Sequence, residues 1–250
     1  AEDRVLMPQD YGEHTDEAFV DELARHFRDR RYIRIDGRPL LVVYRFRSIP
    51  GGGERAARWR ALFRERHGEE PLVFMAQTGD DDDPRAYGLD GAIEFPPRRL
   101  AGDTAIPEDR LRLLDRDFHG RVHSYDAVAR RYVANRPTDF PLIKSVLPSW
   151  DNDARLPGGG FVIHGSTPAK YQAWLAEAVR YAVENPVFGE SFVGINAWNE
   201  WAEGAYLEPD LHYGAAYLNA TARAAGGVSL PFRRHEEKTA TPVDEDRSGA

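Results

Sequence analysis

Pro39-Leu-Leu-Val-Val-Tyr44 is the stretch that decides the fold. It carries no charge, is rich in apolar and β-branched residues, and follows the turn Asp36-Gly37, so it reads as a strand buried on both faces. Strands of that kind belong to parallel sheets flanked by helices, and helical patterns stand on both sides of it. Upstream, Thr15 can cap a helix, Asp16 and Glu17 suit its first turn, and Phe19, Val20, Leu23 and Phe27 form one apolar stripe. Downstream, Gly51 to Gly53 break the chain before a helix whose Trp59, Leu62 and Phe63 face inward. The alternation continues: strands at Leu72–Ala76, Gly91–Phe95, Pro141–Leu147 and Ser191–Ala197, with helices around Tyr125–Asn135 and from Tyr213 to Ala224. Thr167-Pro168 opens the clearest helix, where Tyr171, Trp174, Leu175, Ala178 and Ala182 keep helical spacing. The pattern is that of a parallel α/β fold.

The five strands start near residues 39, 72, 91, 141 and 191, about 38 residues apart on average, (191 − 39)/4. Eight such units need roughly 300 residues, within the range of barrels with insertions. Only one helix precedes residue 39, so a complete eight-stranded barrel does not fit. Two architectures remain: an open five-stranded sheet, or the carboxyl-terminal five-eighths of a barrel. Residues 98–121 are charged and read as an irregular excursion, and a long loop spans Trp150-Asp-Asn-Asp-Ala-Arg155 and Gly158-Gly-Gly160. From Arg233 the chain is polar and aperiodic, which predicts a folded part over 1–232 and a disordered tail over 233–250.

Composition narrows the function. The 250 residues carry 33 Lys+Arg against 41 Asp+Glu, a formal charge of −8, which argues against general affinity for nucleic acid or an anionic membrane. The absence of cysteine rules out disulfides, a thiolate nucleophile, zinc–thiolate sites and iron–sulfur clusters. No apolar run is long enough to span a bilayer, and no basic-then-apolar leader precedes the first helix, so a cytoplasmic protein is expected. No phosphate loop, zinc-protease, nucleophile-elbow or dinucleotide motif occurs, so no cofactor is expected. Asp80–Asp83 reads as a solvated loop, since four consecutive carboxylates cannot converge on one ion.

Reactive groups of parallel α/β folds collect where strands end at their carboxyl termini. After the last strand, residues 196–208 hold Asn196, Trp198, Asn199, Glu200, Trp201, Glu203 and Glu208. Glycosidic-bond chemistry needs two carboxyl groups, about 5–5.5 Å apart where configuration is retained. Glu200 and Glu203, three residues apart in a tight turn, can meet that condition, because such side chains begin about 5–6 Å apart. Trp198 and Trp201 offer flat faces to a sugar ring, and Asn196 and Asn199 offer hydrogen bonds to hydroxyls. A purely structural alternative has the glutamates capping a helix and the tryptophans filling core.

The run Asn199-Glu-Trp-Ala-Glu-Gly204, with Tyr206-Leu-Glu-Pro-Asp210 and Tyr213-Gly-Ala-Ala-Tyr217, resembles the WbsX family of glycosyltransferases. That family is similar to the family 99 glycoside hydrolases of the endo-α-mannosidase type. Arg31–Leu40, Tyr44-Arg45, Asp90–Pro97 and Trp150–Arg155 resemble further family blocks in the same order, so the resemblance covers about residues 3–225. It implies a (β/α)8 TIM-barrel type of fold, amino-terminally truncated here to about five βα units, strands 4–8. It also implies a carbohydrate-active enzyme, retaining configuration, in bacterial surface-polysaccharide metabolism. Glu200 would be the base that deprotonates the sugar 2-hydroxyl, and Glu203 the acid/base at the leaving group. The hydrolases carry His and Thr where this chain has Ala202 and Ala205.

Further substrate-binding candidates are Tyr44 and Arg45 at the end of the first strand, Glu94 before Phe95, Trp150 and Asp151 (with Asn152 and Arg155) on the long loop, and Tyr206. Lys144, a charge inside an apolar strand, reads equally as a site residue or as a paired core charge. The expected partner is an oligosaccharide or polysaccharide, with a further chain possible over an open barrel edge. The rival expectation is a carbohydrate-binding module, or an inactive fragment, without turnover.

Overall fold

The computed structural model describes residues 11–12, 14–79, 83–97, 102–134 and 138–226, so the expected tail and Asp80, Asp81 and Asp82 lie outside the described residues. The chain runs α1 (Thr15–Phe27), β1 (Arg34–Ile35), β2 (Arg38–Val43), α2 (Gly52–His67), β3 (Leu72–Gln77) and β4 (Gly91–Glu94). It continues through β5 (Arg121–Ser124), α3 (Tyr125–Ala134), β6 (Leu142–Val146), β7 (Trp150–Asp151), β8 (Phe161–His164) and α4 (Pro168–Glu184). Last come β9 (Val193–Ile195), β10 (Asn199–Glu200), β11 (Ala205–Tyr206) and α5 (Ala216–Gly226).

The main sheet has the order β1-β2-β3-β4-β6-β9. Strands β2, β3, β4, β6 and β9 are parallel, each beside the next in the chain, and β1 adds an antiparallel edge across the Asp36-Gly37 turn. Alternation along the strands sorts the side chains to two faces. Leu41, Val43, Val73, Met75 and Ala92 pack with Val20, Phe27, Trp59 and Phe63 of α1 and α2. Leu40, Leu72, Phe74, Ile93 and Ile143 form a second, opposite cluster. Helices cover only the first face, and the sheet is curled as in a half-barrel, with the second cluster on its concave side. Val42 (41% exposed) and Tyr44 (46% exposed) stand on that concave side. Leu72, Phe74 and Ile143 on the same side are buried with Val187, so the exposure is confined to the end of β2.

Sequence and structure diverge above the sheet. The excursion and the long loop are not structureless: β5 and β8 pair in parallel, and β7 joins β8 in antiparallel, making a second, three-stranded sheet. These strands have two to four residues, too few for periodicity to register. Ala105 bridges to His123, tying the excursion onto β5. The cap of α1 also differs: His14 occupies the N-cap position and no side chain bonds there, whereas Thr167 caps α4 as expected, accepting from Lys170 N at 3.3 Å.

Glu94 corrects another expectation. It ends β4 on the helix-facing side, is fully buried, and accepts from Lys144 Nζ at 2.9 Å and from Ser145 N at 3.2 Å. Lys144 also donates to the Tyr132 carbonyl at 2.9 Å and lies 5.1 Å from the Tyr181 ring centre. The pair lines a cavity of about 270 Å³ between the sheet, α3 and α4. A buried carboxylate needs such a partner, so Lys144 is a paired core charge and Glu94 serves the core instead of a subsite.

Among the described residues no helix is long and apolar enough to cross a membrane, and no group of His, Asp and Glu is arranged to hold a metal ion. Asp83 caps the short helical turn Pro84–Tyr87, its Oδ1 accepting from Arg85 N at 2.9 Å.

Candidate active site at the strand ends

Leaving β9, Asn196 keeps the register: its N–H donates to the Val146 carbonyl at 2.9 Å, and its Nδ2 donates to the Pro96 carbonyl at 2.6 Å. One residue thereby joins the ends of three strands, β4, β6 and β9. The chain then folds into the β10–β11 hairpin, with Asn199 opposite Tyr206 and Glu200 opposite Ala205. Cross-strand partners share a face. Ala205 is fully buried, so Glu200 lies on the inward side of the hairpin, half-buried. Among the described residues its carboxylate makes no hydrogen bond or ion pair, which leaves it available to a ligand.

The turn between the two strands is Trp201–Glu203, closed by Gly204 in the left-handed region at φ 58°. Glu203 is engaged: its Oε1 accepts from Arg155 Nη1 at 2.6 Å, with side-chain exposures of 18% and 55%. The two glutamates thus share one turn but differ in their partners, Glu203 being ion-paired and Glu200 without a partner among the described residues. Ser149 Oγ donates to the Gly204 carbonyl at 2.5 Å, holding the hairpin down on the end of β6. Gly204 has a second reason to be glycine, since a Cβ there would stand 2.9 Å from Asp151 N and 3.0 Å from its carbonyl oxygen. Gly204→Ala is expected to cost about 1–3 kcal/mol, from a positive φ and a backbone clash together. Thermal unfolding checks this, and an unchanged midpoint would refute the close fit.

The aromatic groups divide. Trp198 is exposed at 55% and Trp201 at 47%. Trp201 stacks on Tyr206 at 3.8 Å with 16° between the planes, and its Nε1 donates to Glu208 Oε2 at 2.6 Å. Trp201 and Tyr206 therefore form a two-ring shelf on the Asn199 side of the hairpin, the face opposite Glu200. Tyr206 Oη donates to Asp210 Oδ2 at 3.2 Å. Partial burial and the neighbouring Asp210 charge push the Tyr206 phenol up. Asp210 is itself held below the usual carboxylate range, chiefly by the Tyr213 backbone N–H and further by that of His212. Its Oδ1 accepts both of these bonds, ordering the turn ahead of α5.

Beyond β2, Tyr44 packs against Phe95 at 5.2 Å, and the guanidinium of Arg45 lies 5.3 Å from the Tyr44 ring. Both are exposed at the end of β2, where Arg45 takes a left-handed φ of 51°. Asp151 is exposed and accepts from Asp153 N at 3.0 Å, a turn-forming bond. Trp150 corrects its expectation: it is 4% exposed in the core with Tyr125, Tyr171 and Tyr217, so it offers a sugar no ring face. In the small sheet, burial pushes the His123 imidazole down, and its Nδ1 shares a hydrogen with Thr104 Oγ1 at 2.7 Å.

Three links escaped the sequence: Phe95 beneath Tyr44, Glu208 on Trp201, and the pairing of Arg155 with Glu203. The first two lie on the motif or beside a named residue. The third joins residues 48 apart and had no local signal.

Comparison with known proteins follows the same line. The glycosyltransferase WbsX family model matches residues 1–221. The uncharacterised protein WxcX of Xanthomonas campestris pv. campestris (strain B100) is 39% identical over 220 residues, covering 88% of this chain and 31% of its own length. The chain thus spans about a third of the curated relatives it matches. Among solved structures, a glycoside hydrolase-like protein superposes with a TM-score of 0.55 at 13% identity, over 84% of this chain and 60% of the other. The GH99 endo-alpha-mannosidase from Bacteroides thetaiotaomicron gives 0.51 at 15% identity over the same shares. At these identities the likeness is one of fold.

Proposed function

Since this chain belongs to the glycosyltransferase WbsX family and is therefore part of a carbohydrate-active enzyme, we propose that it cleaves or transfers a glycosidic bond with Glu200 and Glu203 as the working pair. The observation that carries the reading is the hairpin itself: it holds two carboxylates on one turn at the end of the last parallel strand, with Glu200 facing inward and without a partner among the described residues. In the reaction, Glu200 takes the proton of the sugar 2-hydroxyl as that oxygen closes on C1, and the leaving oxygen departs with a proton from Glu203. An incoming hydroxyl then gives its proton to Glu203 and bonds to C1, and Glu200 returns its proton to the 2-oxygen. The two displacements at C1 retain configuration. Water as acceptor gives hydrolysis, and a sugar hydroxyl gives transfer.

Tyr44, Arg45, Asp151, Asn196 and Trp198 supply the surrounding contacts, while Asn199, Trp201 and Tyr206 offer a second contact surface on the opposite face of the hairpin. The five parallel units are strands 4–8 of a (β/α)8 barrel whose first three units belong to a longer protein and cover the open concave side at Val42 and Tyr44. The setting is bacterial surface-polysaccharide metabolism, as the family resemblance implies. The anomeric configuration of the first product, read by NMR on the full-length protein, tests the reaction: retention is expected, and inversion would overturn it. The Arg155 pair favours a second reading, a sugar-binding surface without turnover, marked by bound glycan and no product at any chain length.

A further inference from the structure

We infer that Arg155 receives an anionic group of the substrate, a phosphate ester or a sugar carboxylate, and that its arrival releases Glu203 from the ion pair. The inference rests on the reading of Glu200 and Glu203 as the working pair and names the substrate class that this pair serves.

Arg155 is unlike the arginines that brace the fold through several partners. Arg34 is held by Phe27 and Gly37 carbonyls and by Glu69, Arg55 by Asp16 and the Tyr11 carbonyl, and Arg60 by the Gly88 carbonyl and Asp90. The Arg155 guanidinium has one partner among the described residues, Glu203, through one of its five N–H donors. The remaining donors are uncommitted on a side chain that is 55% exposed. Its backbone, by contrast, is fixed. Arg155 N and Leu156 N both donate to the Asn152 carbonyl, Asn152 Oδ1 accepts from Phe161 N at 2.6 Å, and Asp153 Oδ1 accepts from Gly160 N at 3.1 Å. A rigid base carrying a long, weakly committed cation is an arrangement suited to anion capture. A half-exposed, single-contact pair contributes little stability, whereas phosphate and carboxylate match the guanidinium fork with two parallel bonds. An anion entering the site therefore competes well with Glu203.

The exchange has a chemical consequence. While Arg155 holds it, the Glu203 carboxylate is turned to the guanidinium, so a leaving group that needs no proton from it fits this arrangement best. A phosphate leaving group needs positive charge instead. In a phosphate-linked donor the C1–O bond breaks as the 2-oxygen, its proton passing to Glu200, closes on C1. The electron pair goes to the phosphate oxygen held by Arg155. The acceptor oxygen then bonds to C1, its proton passes to the freed Glu203, and Glu200 returns its proton to the 2-oxygen.

The test is calorimetric titration of the full-length protein and its R155Q, R155K and E203Q variants with glucose 1-phosphate, glucuronate and methyl glucoside. At least one anionic probe is expected to lose ten-fold or more in affinity in R155Q, to recover in part in R155K, and to gain several-fold in E203Q, where the internal competitor is gone. Loss confined to glucose 1-phosphate assigns the group as phosphate, and loss confined to glucuronate assigns it as a sugar carboxylate. Anion binding that is absent, or indifferent to Arg155, overturns the inference. If methyl glucoside nevertheless quenches the exposed tryptophans, the sugar-site reading survives that failure, and if it does not, both fall together.

Discussion

Glu200→Gln is expected to lower turnover by about 10³-fold while leaving glycan affinity within a few-fold of the parent. The magnitude follows from removing a positioned general base, commonly about 10²–10⁴-fold. Retention of binding follows from the setting of the side chain, which makes no internal bond among the described residues, so an isosteric amide leaves the hairpin intact. Turnover of any substrate that the full-length protein accepts measures the first half, and fluorescence of Trp198 and Trp201 during glycan titration measures the second. Parallel loss of affinity and turnover would make Glu200 a binding group only. Unchanged turnover would remove it from the chemistry.

The second large effect concerns stability. Lys144→Met is expected to destabilise the fold by about 3–5 kcal/mol, because it leaves the fully buried Glu94 carboxylate without its counter-ion. The double substitution Glu94→Leu with Lys144→Met is expected to recover most of that loss, since an apolar pair in the same layer has no desolvation cost to offset. Denaturant unfolding of the four-member cycle checks both statements. A single variant as stable as the parent would show that the pair is not isolated from water behind α3 and α4. A double variant no better than the single would show that the loss lies in packing.

The five parallel strands were legible because each writes an uninterrupted apolar run, as at Leu40–Val43 and Leu72–Ala76, although only the second is buried on both faces, Val42 being exposed. The small sheet was not, because β5, β7 and β8 are two to four residues long and pair with strands up to 40 residues distant. Glu94 and Trp150 were misassigned for one shared reason. Proximity to a strand end is visible in sequence, but which face a side chain takes depends on register. Glu94 falls one residue beyond inward-facing Ile93, which turns it toward the helices. The glutamate hairpin was legible as a dense run of polar and aromatic groups after a strand. Its internal asymmetry, one carboxylate without a partner among the described residues and one held by Arg155, depends on a loop that meets it only in the folded chain.

The central claim is that Glu200 and Glu203 flank the bond that reacts. The most direct measurement is a crystal structure of the full-length protein, carrying Glu203→Gln to prevent turnover, with a bound oligosaccharide substrate. The account predicts a sugar 2-hydroxyl within hydrogen-bond distance of a Glu200 carboxylate oxygen, with the scissile oxygen beside residue 203. A glycan bound productively elsewhere, with Glu200 and residue 203 both in solvent, would contradict it.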